Sequence, residues 1–203
     1  MMNAAKFITF EGVDGAGKST HIPWFAEALQ KRGIDVLLTR EPGGTPLGEA
    51  LREILLNQPM HPETEAMLMF AARLEHVEEV IKPALKRGTW VISDRFSDAS
   101  FAYQGGGRGV PIEKLEQLEK WVHADLQPNL TLLFDIPIEI ARNRLNNNPT
   151  LDRFEREQGE FFNKVRNAYL ARSKKQPSRF VLIDAGVTPS EVKSNLEKII
   201  SSI

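Results

Sequence analysis

Cysteine is absent from this chain, which excludes disulfides and thiolate-held metal sites. No apolar run reaches the roughly 20 residues needed to span a bilayer, and the stretch ahead of the first apolar segment is too short for a signal peptide. A charge excess is missing too. The 26 Lys and Arg face 27 Asp and Glu, so no overall field draws in nucleic acid or an anionic membrane. The 4 histidines show no metal-ligand spacing, and neither an internal repeat nor a linker between domains interrupts the chain. These absences predict a cytoplasmic protein without nucleic-acid or membrane partners, in which local groups of Lys and Arg bind any anion. What is present is 203 residues, 41% of them hydrophobic, enough for one domain over 1–203 with a substantial core.

Short apolar runs rich in strand formers alternate with helical patterns. Phe7–Phe10, Val36–Thr39, Trp90–Ser93, Leu130–Asp135 and Phe180–Asp184 read as buried parallel strands. Ile22, Phe25, Ala26 and Leu29 follow helical spacing, with Gly33 placed to end that helix. Met67, Phe70, Leu74, Val77, Ile81 and Leu85 form a longer stripe that stops before Gly88. Leu115, Leu118 and Val122 mark a third helix, and Val192, Leu196 and Ile199 a last one from about Ser190. The alternation implies an α/β three-layer sandwich, a five-stranded parallel sheet covered by helices on both faces. Pro23 falls inside the first helical pattern and predicts a kink or a loosened turn. Asn146-Asn147-Asn148-Pro149 is the strongest loop signal.

The most informative segment joins the first strand to the first helix. It reads Phe10-Glu11-Gly12-Val13-Asp14-Gly15-Ala16-Gly17-Lys18-Ser19-Thr20, a glycine-rich loop between strand and helix that fits the phosphates of a nucleoside triphosphate. Glycines let backbone N–H groups converge on phosphate oxygens, and the helix N-terminus adds its positive dipole end. Lys18 is placed to bridge the β- and γ-phosphates and Ser19 to ligate Mg²⁺. Asp94, closing the third strand, suits a Mg²⁺–water partner, and Arg95 beside it offers a planar anion clamp. An acceptor that is itself a phosphate needs cations more than a general base, because a phosphomonoester is already largely dianionic at neutral pH. Arg40, Arg73, Arg95, Arg108, Arg153 and Arg156 supply such cations, which favours a nucleotide acceptor.

Five segments then carry a resemblance: the loop above, Thr39-Arg40-Glu41-Pro42-Gly43-Gly44, Phe70-Ala71-Ala72-Arg73, Asp94-Arg95-Phe96 and Tyr103-Gln104-Gly105-Gly106-Gly107-Arg108-Gly109. Over essentially the whole chain the sequence resembles the bacterial thymidylate kinases, of the P-loop nucleoside monophosphate kinase type. The resemblance implies transfer of the ATP γ-phosphoryl to dTMP with Mg²⁺, a homodimer, and a mobile lid at about 142–159. It implies that Asp14 holds the sugar 3′-hydroxyl near the Mg²⁺ shell and that Arg95 clamps the acceptor phosphate. Phe70 then stacks on thymine, Arg73 bonds its edge, and Tyr103 fills the space of a ribose 2′-hydroxyl. Ser100 and Gln104 line the base pocket, Pro42 lies near the sugar, and Arg40 belongs to the dTMP side. Arg153, within Leu151-Asp152-Arg153-Phe154-Glu155, is the lid cation for transition-state charge, and Arg144 packs near the adenine.

From the residues alone, Phe70 also reads as core, Arg73 as a surface charge, and Tyr103–Gly109 as a loop whose backbone approaches something closely. Three rival functions stand beside the kinase reading: a monophosphate kinase with another acceptor, a nucleotide switch or motor, and a nucleotide-binding module. A guanine-reading Asn-Lys-x-Asp is lacking, since Asn163-Lys164 continues into Val165-Arg166.

Overall fold

The computed structural model of the chain describes residues 4–123, 125–145 and 152–203. Its sheet has five parallel strands in the order β2-β3-β1-β4-β5: β1 (Phe7–Glu11), β2 (Val36–Arg40), β3 (Trp90–Asp94), β4 (Leu130–Asp135) and β5 (Phe180–Asp184). Register is fixed by pairs such as Phe10 with Asp94 and Thr9 with Thr131. The central strands β1, β3 and β4 are the most deeply buried, as apolar runs without alternation require. The first three strands each run one residue past their predicted ends, onto Glu11, Arg40 and Asp94. All five strands thus close on a charged residue at their carboxyl ends, the edge where open α/β sheets bind ligands.

The helices are α1 (Lys18–Gln30), α2 (Pro46–Asn57), α3 (Pro62–His76), α4 (Lys82–Lys86), α5 (Ser97–Ser100), α6 (Ile112–His123), α7 (Ile138–Leu145), α8 (Gly159–Lys175) and α9 (Pro189–Ser202). Local chemistry starts several of them. Proline opens α2, α3 and α9, where its missing N–H is no loss. The Thr45 hydroxyl accepts from the Gly48 amide at 2.9 Å, and Thr188 with Glu191 forms a reciprocal capping box. α1 runs unbroken through Pro23, which lies on the exposed side.

Two expectations are corrected by the packing. The stripe from Met67 to Leu85 does not face one core. Phe70, Val77 and Ile81 are buried, whereas Met67 and Leu74 are exposed, and a π-helical stretch at Val77–Ile81 shifts the register between α3 and α4. The Tyr103–Gly109 segment is not a plain loop, because Phe101–Gly107 is a second π-helical stretch. The close approach there is to α8: a Cβ on Gly106 would meet the Ala168 side chain and the Lys164 carbonyl. Asn146–Asn148, Pro149 and Leu151 lie outside the described residues.

A buried polar tie joins sheet to helices below the ligand edge. Asp98 is fully buried and accepts from Arg179 through both oxygens, at 2.7 and 2.8 Å. Arg172 pairs with the same carboxylate, and Arg179 also donates to the Thr131 hydroxyl at 2.6 Å. Burial alone would raise the Asp98 carboxyl, but Arg179 and Arg172 hold it below the ordinary aspartate range. Arg179→Met leaves that charge half-compensated, so unfolding free energy by urea titration is expected to fall by about 3 kcal/mol or more. A loss under about 1 kcal/mol would contradict the role given to this pair.

Candidate active site

The loop after β1 wraps the N-terminus of α1. Val13 and Ala16 anchor it in the core, Gly17 precedes the first helical residue, and Ser19 and Thr20 stand exposed in the first turn. Gly15 has φ 79°, and a Cβ there would strike the Ala141 carbonyl, so glycine is required on both counts. The Lys18 ammonium donates to the Gly12 and Val13 carbonyls at 3.0 and 3.1 Å. Burial and the nearby Arg95 lower its pKa against the opposing pull of Asp94, Asp14 and Glu11. Arg144 closes the loop from α7, with Nη1 donating to the Gly15 carbonyl at 3.4 Å and Nη2 to that of Ala185 at 3.2 Å.

Arg95 is the meeting point of the site. It has φ 73°, the one positive value at a non-glycine position among the described residues, and its amide donates to the Phe10 carbonyl at 2.9 Å. Such backbone is strained for an arginine and needs surrounding structure to hold it. The Ser93 hydroxyl supplies part of that by donating to the Arg95 carbonyl at 2.7 Å. Glu11 supplies more by accepting from the Phe96 amide at 2.7 Å. The guanidinium pairs with Asp14 and donates to the Tyr103 hydroxyl at 3.0 Å and the Tyr169 hydroxyl at 3.3 Å. It also lies over the Tyr103 ring, 4.7 Å from the centroid. Both tyrosines of the chain are thus spent on this one arginine. Asp14 takes a further bond from the Tyr103 hydroxyl at 2.7 Å. Burial works to raise the Asp14 carboxyl, but Arg95, Lys18 and Tyr103 together hold it below the ordinary aspartate value.

Next to this pair lies a cleft of about 560 Å³, open solvent included. Of the residues expected on the dTMP side, Asp14, Pro42, Arg73, Arg95, Ser100, Tyr103 and Gln104 line it. Arg73 is held by Glu41 at 2.7 Å, the Phe96 carbonyl at 3.1 Å and Ser100 at 3.0 Å. Its buried Nη1 has no hydrogen-bond partner. Tyr103 and Gln104 come from the π-helical stretch, which turns both toward the cleft.

Three expected residues are placed differently. Phe70 is buried at 1% exposure among Ala66, Phe101, Val110, Leu115 and Val122 and is not among the cleft-lining residues. The Arg73 guanidinium covers its ring at 4.5 Å, while Phe96 supplies the aromatic wall. Arg40 is exposed and paired with Glu49 at 2.8 Å. Arg153 contacts the Leu55 carbonyl, Glu65 and the Phe154 ring, so its partners belong to the cleft side and not to the phosphate loop. A guanidinium pairs with whichever carboxylate or carbonyl the fold brings near it, which spacing in sequence does not reveal.

Sequence reasoning missed Glu41, Arg52, Met69, Phe96, Asp152 and Phe154 on the cleft wall. It also missed Glu11, Glu65 and Tyr169 behind it. Glu41, Phe96, Asp152 and Phe154 stand inside quoted segments, so the signal was present. Arg52 and Tyr169 carry none.

Ser19 and Asp94 were the expected cation partners. Asp94 Oδ1 is buried with no hydrogen-bond partner, an orphaned oxygen of the kind a metal-bound water satisfies. Among the described residues no group of three His, Asp or Glu side chains could hold a metal by itself, so phosphate oxygens and water must complete any shell. The donors present therefore fit a hard cation that arrives with a polyphosphate.

Comparison with known proteins decides the family. The thymidylate kinase family model matches residues 10–196. The chain belongs to the thymidylate kinase family. A thymidylate kinase of Methylobacillus flagellatus is 66% identical over 179 residues, covering 88% of each chain. That of Ralstonia nicotianae is 59% identical over 202 residues, covering 98% of each. The crystal structure of the family member from Ehrlichia chaffeensis superposes with a TM-score of 0.79 at 34% identity, covering 97% of this chain and 99% of that one. The P-loop α/β architecture read from the sequence is that of this family.

Glu11 gives the site a pH signature. Burial, reinforced by Asp98, pushes its carboxyl up to about 8 against Arg95, Tyr169 and the Phe96 amide. An unfolded glutamate ionises near 4.5, so the folded state binds more protons between those values and stability falls as pH rises through the window. Urea titrations at pH 5, 6.5 and 8 are expected to show a decline on the order of 2 kcal/mol or more that Glu11→Gln flattens. Equal slopes in the two proteins would count against a proton held at Glu11.

Proposed function

We propose that this chain transfers the γ-phosphoryl of ATP to dTMP, giving dTDP and ADP, a step of dTTP biosynthesis. The observation that carries the reading is the cleft where Arg95 and Asp14 meet beside the phosphate loop. Membership of the thymidylate kinase family supports it.

ATP enters with its phosphates on the backbone amides from Gly12 to Thr20. Lys18 exchanges the Gly12 and Val13 carbonyls for β- and γ-phosphate oxygens, a small movement of a side chain already in place. Ser19 and, through water, Asp94 would hold Mg²⁺, with Asp14 near its shell, and the ion would supply neutralisation of phosphate charge. dTMP occupies the cleft with its phosphate on Arg95, its sugar near Pro42 and its 3′-hydroxyl on Asp14. Tyr103, braced on Asp14 and Arg95, stands where a 2′-hydroxyl would be. Arg73, Ser100 and Gln104 read the base edge, and Arg52 and Arg40 add positive charge on the approach. Stacking of thymine on Phe70 requires Arg73 to slide off that ring. Arg144 lies beside the adenine end of ATP.

The acceptor phosphate attacks as an anion, so no residue needs to remove a proton from it. What the protein must do is hold two repelling phosphates in line. Lys18 and Arg95, on adjacent loops, are the cations for that. Arg153 serves as the lid cation, reaching the γ-phosphate by leaving Leu55 and Glu65. The lid, at about 142–159 of a single domain over 1–203, is read here on residues 142–145 and 152–159 alone.

The same reading includes a homodimer in the cytoplasm, with no nucleic acid. Leu47 and Ile54 on α2, and Met67 and Leu74 on α3, are exposed at i, i+7 spacing on adjacent helices. Paired exposed apolar faces of this kind fit a subunit contact. No described helix is long and apolar enough to cross a membrane. Sedimentation of Leu74→Glu at micromolar concentration is expected to shift mass toward monomer, and an unchanged dimer would remove this face from the contact.

Two measurements test the activity. With saturating ATP, dTMP is expected to be turned over at least about a hundredfold more efficiently than AMP, GMP or UMP, because a purine edge leaves the cleft's buried polar groups unpaired and Tyr103 fills the space that the 2′-hydroxyl of UMP needs. Comparable rates would defeat the dTMP assignment. Lys18→Ala and Arg95→Ala are each expected to lower kcat/KM by about 10³-fold or more. Unchanged kinetics in Arg95→Ala would remove the acceptor clamp.

A further inference from the structure

Glu65 opens the first turn of α3 and is 1% exposed, an unusual burial for a carboxylate that the proposed reaction does not use. Its two oxygens serve different parts of the cleft. Oε1 accepts from the Gln104 side-chain amide at 2.7 Å. Oε2 accepts from Arg153 at 2.6 Å and lies 3.6 Å from Arg108. Arg153 is itself fixed, with its guanidinium donating to the Leu55 carbonyl at 2.9 and 3.1 Å and its amide to that of Leu56 at 3.2 Å.

This arrangement decides which way round Gln104 sits. A carboxylate between two guanidiniums accepts and does not donate. The glutamine amide has ends of nearly equal shape and opposite hydrogen-bonding sense. Against Glu65 only its NH₂ end is compatible. The Oε1 end is then what Gln104 has for the cleft that it lines, and among the described residues nothing donates to it. Arg73, on the same cleft, can only donate, and its Nη1 lacks a partner. Between them Arg73 and Gln104 therefore leave one free donor and one free acceptor for a base edge. A thymine or uracil imide presents the matching pair, a carbonyl oxygen and an N–H. Cytosine presents the reverse, an amino group and a bare ring nitrogen. Setting that edge here brings donor against donor and acceptor against acceptor, which a buried site rejects strongly.

We propose that Glu65 is a positioning residue for base specificity: by fixing the orientation of the Gln104 amide, with Arg108 beside the carboxylate and Arg153 paired to it until the lid closes, it selects an imide-bearing pyrimidine over cytosine. The inference rests on the acceptor reading above and adds the group that sets its polarity.

The test compares dTMP with dCMP, both with ATP, in the wild type and in Glu65→Gln. Glutamine at 65 can donate or accept, so the Gln104 amide is released to turn. The ratio of kcat/KM for dTMP to that for dCMP is expected to fall by about tenfold or more, chiefly through a higher KM for dTMP, with KM for ATP little changed. A residue that merely supports the fold lowers both acceptors in parallel, and an unchanged ratio overturns the proposal. Because Glu65→Gln leaves Arg153 without its counter-charge, the double variant Glu65→Gln, Arg153→Met is measured too, and the same fall in ratio is expected there. A wild type inactive on dTMP would tell against the kinase reading. An active wild type with unaltered selectivity in both variants would tell against Glu65 alone.

Discussion

Everything at the ligand edge of the sheet turns on one ion pair, between Arg95 after β3 and Asp14 in the loop after β1. The two strands are hydrogen-bonded neighbours, so the pair joins the glycine-rich loop to the cleft that both residues line. Neither partner is cheap to hold. Arg95 has a left-handed backbone that burial and hydrogen bonds must enforce, and Asp14 is a partly buried carboxylate that desolvation works to neutralise. Their mutual attraction, shared with Tyr103 and Lys18, keeps Asp14 ionised.

The supporting shell repeats that logic one layer back. Tyr169, from α8, bonds both Arg95 and Glu11, and Glu11 holds the amide that follows Arg95. Glu41 orders Arg73 and, on its other oxygen, His76 at 2.9 Å. His76 contacts the Thr39 hydroxyl at 2.6 Å through its second ring nitrogen, which ties the end of β2 to α3. Buried polar networks of this kind add little to stability over an apolar packing, and they fix side chains in one arrangement when every member is satisfied. Four buried side-chain atoms among the described residues stay without a hydrogen-bond partner, Arg73 Nη1 on the cleft, Asp94 Oδ1 beside the phosphate loop, Arg108 Nε and His123 Nε2.

Strands β4 and β5 were legible in the sequence to the residue as short runs of strand formers, although β5, like β2 a sheet edge, is largely half-exposed and not the buried strand expected. β1, β2 and β3 were legible but for their last residues, where a charge reads as loop although the ladder continues. The phosphate loop was legible because its geometry demands glycine at set intervals. The π-helical stretches were not, since their register shift depends on what packs against them, Ala168 and Phe161 of α8 in one case. Phe70 shows the limit most clearly. Helical spacing from Arg73 placed it on the right face, but which of the two reaches the cleft depends on the side chain of Arg73 lying over it. Arg153 shows the same for charge: the motif around it was readable, and its partner Glu65, 88 residues away in sequence, was not.

In the proposed reaction Arg95 and Asp14 receive one acceptor between them, its phosphate on the guanidinium and its 3′-hydroxyl on the carboxylate. A crystal structure with dTMP and a non-hydrolysable ATP analogue tests it most directly. The expected result is the dTMP phosphate on the Arg95 guanidinium, the 3′-hydroxyl on Asp14, and the base edge between Arg73 and Gln104. An intact Arg95–Asp14 pair with dTMP bound elsewhere, or a nucleotide whose phosphate contacts neither Arg95 nor its neighbours, would contradict it.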